Sequence, residues 1–318
     1  MQPPSFQDVL DARPRVYAGL QPSPLLRHPL LDEWIGCEAW VKHENHLPTG
    51  AFKIRGGLNL VAQLTADERR RGVVSASTGN HGQSIALACA GRGVPCRIFV
   101  PRGNNPDKNA AMRALGAEVI EHGRDFDEAR ERVEELAPRE GWRYVHSANE
   151  PQLIAGVATC AHEIFERTTD LDYLFVPVGG GSGAAGCCIV RSGMGRRTKI
   201  IGVQATGADA FARSWRGPER VTADRVSTFA EGVATRVTFD LTFGILKEQL
   251  DDVVTLEESE FEDGVRAALR LTHNLAEASG AATLAAARKY VPAHGEKVAC
   301  VITGGNIDAR TLRRVLAE

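Results

Sequence analysis

The stretch YLFVPVGGGSGAAG, residues 173–186, decides the fold. Its first six residues, Tyr173–Val178, are an apolar run rich in aromatic and β-branched side chains, which is typical of a buried strand. Four glycines follow within five positions (179–183), and small residues then continue into a predicted helix. A strand, a glycine-rich loop and a helix in this order predict one unit of a parallel sheet. The loop lets the backbone approach a ligand closely, and phosphate is the natural ligand at such a helix start.

The same alternation of strand and helix runs through most of the chain. The other predicted strands are Glu38–Lys42, Gly72–Ala76, Cys96–Val100, Glu118–Glu121, Arg143–His146, Lys199–Gln204 and Val298–Thr303. Helical patterns lie between them. Asn105 and Pro106 begin one helix, which Gly116 closes, and the apolar spacing after Asp125 predicts another. Strands that alternate with helices predict an α/β protein built around mostly parallel sheets.

Length and composition limit the classes of function. A chain of 318 residues is long enough for roughly two domains, and 43% hydrophobic with 25% charged residues is typical of a globular protein. The net charge of −2, with no long basic run, gives no support for nucleic-acid binding. We also expect no membrane partner, since no apolar stretch approaches ~20 residues. Seven cysteines without a CxxC motif indicate a reducing cytoplasm rather than a disulfide framework.

Two further loops follow predicted strands, and one lysine stands apart from them. The loops are STGNHGQ (77–83) and TGGN (303–306), and ligands bind at such strand ends in parallel sheets. The first loop suits a carboxylate or phosphate, although it could also be an ordinary helix cap. The alternative for the second loop is a simple turn between a strand and a helix. Lys53, in GAFKIRGG (50–57), has apolar neighbours on both sides. It is either a solvated helix lysine or a desolvated nucleophile or base with a lowered pKa.

Two other kinds of site find weaker support. Gly181, Gly183 and Gly186 satisfy the dinucleotide motif GxGxxG, but the next predicted strand ends in Gln204, where an acidic residue would bind the ribose. A phosphate site is compatible with this pattern, whereas a nicotinamide site is disfavoured. His43 and His46 could form half of a metal site, but the sequence offers no third ligand, and we expect no metal there.

Together, four motifs resemble those of one enzyme family. GAFKIRGG, STGNHGQ, GGGSG and TGGN occur in the order and spacing of the fold-type-II pyridoxal-phosphate enzymes, in their serine/threonine dehydratase branch. The resemblance implies two three-layer αβα domains with mostly parallel sheets, as in the β subunit of tryptophan synthase, and pyridoxal 5'-phosphate as cofactor. We expect residues 1–67 and 150–318 to form a large cofactor-binding domain. Residues 68–149 would form a small domain that carries the substrate-carboxylate loop.

The resemblance also implies a role for each matching residue. Lys53 would form the Schiff base with the cofactor aldehyde and then act as base toward the substrate α-proton. The other expected cofactor-binding residues are Phe52, Asn80, Gly179, Gly180, Gly181, Ser182, Gly183, Glu277 and Thr303. Among these, the glycine loop would hold the phosphate, Asn80 the ring hydroxyl and Thr303 the pyridine nitrogen. The expected substrate-binding residues are Ser77, Thr78, Gly79 and His81. Thr78 is also a candidate catalytic residue, because racemases commonly have an acid-base serine there, and its identity argues against racemization.

The implied reaction is dehydration of an L-β-hydroxy amino acid to a 2-oxo acid and ammonia. Serine and threonine are candidate substrates, and Ala148, where many relatives have asparagine, favours a bulkier one such as threo-phenylserine. The stretch after the strand at 199–203 lacks two acidic ligands of the family's cation site, so we expect no metal. The alternatives are an amino-acid racemase, a β-replacement enzyme, a nicotinamide dehydrogenase and a non-enzymatic amino-acid-binding protein. A homodimer is the general expectation for the assembly.

Overall fold

The protein is described by a computed structural model, over residues 1–291 and 295–317, as fourteen α-helices and ten β-strands. The strands are β1 (Leu25–Arg27), β2 (Glu38–His43), β3 (Val73–Ala76), β4 (Cys96–Val100), β5 (Glu118–Glu121), β6 (Arg143–Tyr144), β7 (Tyr173–Pro177), β8 (Lys199–Ala205), β9 (Asp252–Leu256) and β10 (Lys297–Ile302). The helices are α1 (Phe6–Tyr17), α2 (Pro29–Ile35), α3 (Ile54–Val61), α4 (Ala66–Arg71), α5 (Asn80–Ala90), α6 (Pro106–Ala114), α7 (Phe126–Glu140), α8 (Pro151–Arg167), α9 (Ser182–Gly193), α10 (Ala210–Arg216), α11 (Asp240–Gln249), α12 (Glu258–Thr272), α13 (Ala278–Tyr290) and α14 (Ala309–Leu316). Within these ranges, no helix has the length and apolarity needed to cross a membrane.

The strands form two separate sheets. The larger has the order β1-β2-β10-β7-β8-β9, with every neighbouring pair parallel except β1 and β2. The smaller has the order β5-β4-β3-β6 and is parallel throughout. The predicted α/β class with mostly parallel sheets is therefore confirmed. The smaller sheet lies within residues 73–144, and the division into domains at 67/68 and 149/150 stays a prediction.

The eight predicted strands are all present, with ends that differ by at most two residues. The helix capped by Asn105 and the helix after Asp125 are also confirmed as α6 and α7. Strands β1 and β9 were missed, and both lie at an edge of the larger sheet. β1 has only three residues, of which Leu26 is exposed, so it is too short to show an alternating pattern.

The glycine-rich loops open on one edge of the larger sheet. β2, β10 and β7 are parallel neighbours, so the segments that follow them, near residues 44–53, 303–306 and 179–183, leave the sheet on the same side. An additional antiparallel bridge joins Ala51 to Gly304, and the Phe52 N–H donates to the Thr303 carbonyl at 2.9 Å. The segment before Lys53 and the TGGN loop are thus joined directly through the backbone.

All seven cysteines are free and buried. Burial raises the pKa of the Cys37 thiol to about 11 and that of the Cys188 thiol to about 12. These thiols act as small apolar side chains of the core rather than as nucleophiles.

A buried group of two cations and two anions joins the elements around Lys53. We call Lys42, Glu44, Arg55 and Glu163 the Arg55 cluster. The Arg55 guanidinium, in the first turn of α3, donates to Glu44 Oε2 at 2.6 Å and to Glu163 Oε1 at 2.6 Å. Lys42 of β2 donates to Glu163 and to the Ser23 carbonyl. The cluster therefore ties α3, β2 and α8 together with equal numbers of positive and negative charges.

Hydroxyl groups satisfy further acceptors of the cluster. The Tyr17 hydroxyl of α1 donates to Glu163 at 2.7 Å, and the Ser23 hydroxyl donates to Glu44 at 2.5 Å. Burial alone would raise the pKa of the Glu44 carboxyl, but Arg55, Lys42 and Ser23 together hold it below its ordinary value. A buried charge is tolerated only when it is paired and hydrogen-bonded in this way.

The Arg55 cluster predicts an unequal response to two arginine substitutions. We expect Arg55→Met to lower the free energy of unfolding by about 3–5 kcal/mol, because it leaves two buried carboxylates facing one lysine. Arg132→Met is the matched control, since Arg132 pairs with Glu135 on the exposed face of α7 and should change stability little. Urea unfolding followed by circular dichroism measures both. Equal losses in the two variants would contradict this account of the cluster.

Candidate active site

A cavity of about 360 Å³ lies where the three loops and Lys53 converge. Ten of the fourteen site residues predicted from sequence line it. They are Phe52, Lys53, Ser77, Thr78, Gly79, Asn80, His81, Gly179, Glu277 and Thr303. Motifs that are up to 250 positions apart in the sequence therefore meet at one place.

The other four predicted residues, Gly180, Gly181, Ser182 and Gly183, directly follow the lining residue Gly179 but do not themselves line the cavity. Gly181 is the N-cap of α9 and has a φ of 85°, a left-handed conformation that favours glycine. A Cβ on Gly183 would lie 3.1 Å from the ring of Phe52, so the helix packs closely on that ring. A Cβ on Gly179 would lie 2.1 Å from the Gly232 carbonyl oxygen. The glycines are therefore needed for close approach of the backbone.

Lys53 is half-buried at the centre of the site. Its ammonium donates to Ser182 Oγ at 2.8 Å and to the Ser147 carbonyl at 3.3 Å. The nitrogen also lies 5.2 Å from the centroid of the Phe52 ring. Burial lowers the pKa of Lys53 from 10.5 to about 8. Of the two interpretations of this lysine, the structure supports the desolvated amine and not the solvated helix residue.

The loop 77–83 is held by its own first residue. The Ser77 hydroxyl accepts hydrogen bonds from the backbone N–H groups of Gly79, at 3.1 Å, and Gly82, at 2.9 Å. Ser77 thus caps backbone N–H groups at the start of α5, as the helix-cap alternative for this loop predicts. It also lines the cavity. A Cβ on Gly79 would lie 2.8 Å from Lys108 Cδ, which explains the need for glycine at this position.

His81 is buried and neutral. The Ser75 hydroxyl donates to the Val145 carbonyl at 2.6 Å, so its oxygen accepts from the His81 ring nitrogen Nε2 at 2.9 Å. Burial, with a smaller contribution from Lys53, lowers the pKa of His81 to about 3. His81 therefore contributes no positive charge toward a substrate carboxylate, and its expected place around that carboxylate stays a prediction.

Asn80 and Glu277 meet in a chain of side-chain hydrogen bonds. Asn80 Nδ2 donates to Glu277 Oε1 at 2.6 Å, and Asn306 Nδ2 donates to Asn80 Oδ1 at 2.7 Å. Asn306 also donates to the Thr49 carbonyl at 2.9 Å, so the chain reaches the segment before Lys53. The expected neighbours of a cofactor ring are thus linked across loops that are far apart in sequence.

Several lining residues were missed by sequence reasoning. They are Lys108 and Glu231, which pair with each other, and the apolar residues Pro101, Phe126, Val226, Ala234 and Phe239. Lys108 lies in the first turn of α6, whose cap at Asn105 was recognised, so its helix was predicted but its partners were not. The segment 217–239 has no regular pattern, and no signal in it marks Val226 or Glu231.

Comparison with known proteins identifies the family. Residues 16–304 match the family described as pyridoxal-phosphate dependent enzymes. The chain belongs to this family. Its relatives include the L-threonine ammonia-lyase of Thermotoga maritima, 36% identical over 98% of this chain and 78% of that protein. The catabolic L-threonine dehydratase TdcB of Escherichia coli is 31% identical over 98% of this chain and 96% of its own length.

Longer relatives and solved structures agree with this assignment to the family. The biosynthetic L-threonine dehydratase IlvA of Pasteurella multocida is 34% identical over 95% of this chain, which spans only 59% of that protein. Threonine deaminase isoform 2 of Solanum lycopersicum superposes with a TM-score of 0.92 at 30% identity, over 99% of this chain and 90% of that one. Maize serine racemase superposes with a TM-score of 0.93 at 26% identity, over 99% of this chain and 98% of the racemase chain. The predicted fold-type-II architecture and pyridoxal phosphate as cofactor are confirmed.

The residues of the cavity fit the cofactor of the family. Lys53 offers a primary amine in the cavity wall. α9 begins at the glycine loop, and no described side chain caps its N-terminal N–H groups, which suits a phosphate. The hydroxyls of Thr235 and Ser279 line the cavity and are buried without a partner among the described residues. These donors remain for a polar ligand. The described part of the chain, residues 1–291 and 295–317, holds no group of three or more histidine, cysteine, aspartate or glutamate side chains placed to bind a metal ion.

The lowered pKa of Lys53 predicts how cofactor attachment depends on pH. Only the neutral amine attacks an aldehyde, so the rate at which the apoprotein attaches pyridoxal phosphate should rise with pH, with a midpoint at about 8. Stopped-flow absorbance at a series of pH values measures this rate. A midpoint near 10.5, the ordinary lysine value, would contradict the burial of the amine. Lys53→Ala is the control and should give no covalent product after borohydride reduction.

Proposed function

We propose that the protein is a pyridoxal-phosphate-dependent dehydratase that converts an L-β-hydroxy amino acid, such as L-threonine or L-serine, to a 2-oxo acid and ammonia. The observation that carries the proposal is Lys53, an amine whose pKa is lowered to about 8, in the wall of a cavity that the loop 77–83 also lines. The relatives named threonine ammonia-lyase and threonine dehydratase support the same reaction.

The side chains supply a base and the means to orient it. A lysine with a pKa of about 8 is partly neutral near neutral pH, so it can accept the α-proton of the substrate. Ser182 Oγ and the Ser147 carbonyl hold the nitrogen in place through hydrogen bonds. Bound pyridoxal phosphate supplies the electron sink for the charge that develops at the α-carbon.

Thr303 favours elimination over transamination. It lines the cavity, and in the family it would face the pyridine nitrogen. The Thr303 hydroxyl would protonate that nitrogen poorly, whereas an aspartate would protonate it, so Thr303 would leave the bound cofactor a weaker electron sink. Rapid loss of the β-hydroxyl is then favoured over the slower redistribution of protons that transamination needs.

The racemase alternative has two observations in its favour. The fold superposes on maize serine racemase with a TM-score of 0.93, and Thr78 still places a hydroxyl-bearing residue in the cavity wall. Against it, Thr78 replaces the serine common at this position in racemases, and the relatives named above are lyases and dehydratases. Chiral analysis of the recovered substrate distinguishes the two activities.

The direct test is formation of 2-oxo acid from L-serine, L-threonine and L-threo-phenylserine. We expect product from at least one of them, and a fall in kcat of about 10³-fold or more in Lys53→Ala, because the base is lost. Lys289→Ala is the matched control, since Lys289 lies on the surface and bonds Glu260. No product from any of the three substrates would overturn the dehydratase proposal.

A bulky β-substituent is the finer part of the proposal. Ala148 does not line the cavity but is fully buried, with its side chain against Gly180. Support comes instead from the apolar wall, where Phe126, Val226 and Phe239 provide a surface that an aromatic ring would bury.

The apolar wall predicts a change in substrate preference. We expect Val226→Phe to lower kcat/KM for L-threo-phenylserine about tenfold relative to L-serine, because the added ring occupies the space of the phenyl group. Val221→Phe, in the same segment but outside the cavity, is the matched control. Steady-state kinetics with both substrates measures the ratio. An unchanged ratio in Val226→Phe would remove this wall as the binding site of the substituent.

Three further expectations belong to the proposal. The free, buried thiols support a reducing compartment such as the cytoplasm. A small amino acid is the expected partner, and the homodimer stays a prediction.

A further inference from the structure

Lys108 lies between two carboxylates at the edge of the cavity. Its side chain is buried, with only 8% of the residue exposed, although lysine is rarely buried unless it is paired. The ammonium bonds Glu231 and lies 3.9 Å from Glu277 Oε2. Its alkyl chain packs against Gly79 of the loop 77–83. The mechanism proposed above gives this residue no part.

Glu277 is an acid whose charge depends on its neighbours. It is 8% exposed, and the pKa of its carboxyl lies above the ordinary value, because burial raises it more than Lys108 and the hydrogen bond from Asn80 lower it. Glu231 acts in the opposite direction to Lys108, because it is a second negative charge nearby. Asp308 interacts with Lys108 and stabilises its positive charge. Lys108 is thus the cation that favours the carboxylate form of Glu277.

The charge of Glu277 fixes the orientation of Asn80. A carboxylate only accepts hydrogen bonds, so Asn80 must present its Nδ2 to Glu277 and its Oδ1 to Asn306. In that orientation, one N–H of Asn80 has no partner among the described residues. A protonated Glu277 could instead donate a hydrogen bond, and only the hydrogen bond from Asn306 to Asn80 Oδ1 would then hold the amide in this orientation.

We propose that Lys108 is a positioning residue that keeps Glu277 a carboxylate and thereby fixes the Asn80 amide with one N–H available to the ring hydroxyl of the cofactor. The role rests on the proposed function, since it assigns Asn80 to the cofactor ring. It links α6, which packs beside the smaller sheet, to the cofactor-binding loops across the cavity. The charge of Lys108 therefore acts on the cofactor through the side chains of Glu277 and Asn80, and Lys108 itself need not contact the cofactor.

The test is cofactor affinity as a function of pH. In Lys108→Met, which keeps the side-chain length and removes the charge, Glu277 should take up its proton at higher pH. We expect the loss of pyridoxal-phosphate affinity on acidification to move upward by about 1 to 3 pH units relative to the wild type. Titration of the apoprotein with the cofactor, followed by absorbance, measures it. Lys108→Arg should restore the wild-type profile.

A second measurement observes Glu277 without the cofactor. Infrared spectra of the apoprotein near neutral pH should contain the carbonyl band of a protonated carboxylic acid in Lys108→Met. The band should be missing in the wild type and in the double variant Lys108→Met/Glu277→Gln. The pH profile of cofactor affinity in that double variant should match the profile of Glu277→Gln alone.

Glu231→Gln distinguishes an electrostatic effect of Lys108 on Glu277 from a purely structural role of the Lys108 side chain. It leaves Lys108 beside Glu277 and removes a negative charge, so any shift of the pH profile should be downward, opposite to that of Lys108→Met. If both variants instead weaken binding equally at every pH, or if no new infrared band appears, the positioning role is overturned. Neither readout uses turnover, so a failed dehydratase assay leaves both interpretable.

Discussion

The arrangement of the site depends on the buried pairing of charges in the Arg55 cluster. Two cations and two anions without exposure to water are stable only as a complete set, because a missing partner leaves a charge that nothing compensates. Arg55 lies two residues after Lys53 at the start of α3. The pairing therefore fixes the position of α3 against β2 and α8, and with it the position of the amine.

The site handles anions with very little net charge of its own. Lys53 and Lys108 line the site, and Lys108 is already paired with acids. His81 is neutral. Backbone N–H groups at the starts of α5 and α9 are left to meet the carboxylate and the phosphate that the proposed function requires. This agrees with a chain whose total charge is only −2.

Strands, helices and site residues could be predicted from the sequence where a local pattern marks them. Contacts between distant segments could not be predicted, because no local pattern marks them. The strand and glycine loop at 173–183 were read correctly because the apolar run and the turn residues are adjacent. Lys108 and Glu231 lie 123 positions apart, and neither has a neighbour that marks the pairing. The partners of Arg55 were missed for the same reason, and Ala148 was expected at the substrate but lies behind Gly180. Position in a parallel sheet could be inferred, but pairing across the cavity could not.

The bridge between Ala51 and Gly304 joins two segments that are distant in sequence, residues 50–53 and 303–305, into one structural unit. With the bonds from Phe52 to Thr303 and from Gly305 to Gly50, it fastens the lysine segment to the loop expected to meet the pyridine nitrogen. The distance between amine and ring site is then insensitive to movement elsewhere in the chain. For anyone transplanting this site into another scaffold, residues 50–53 and 303–305 form a single module, to be moved together or left in place.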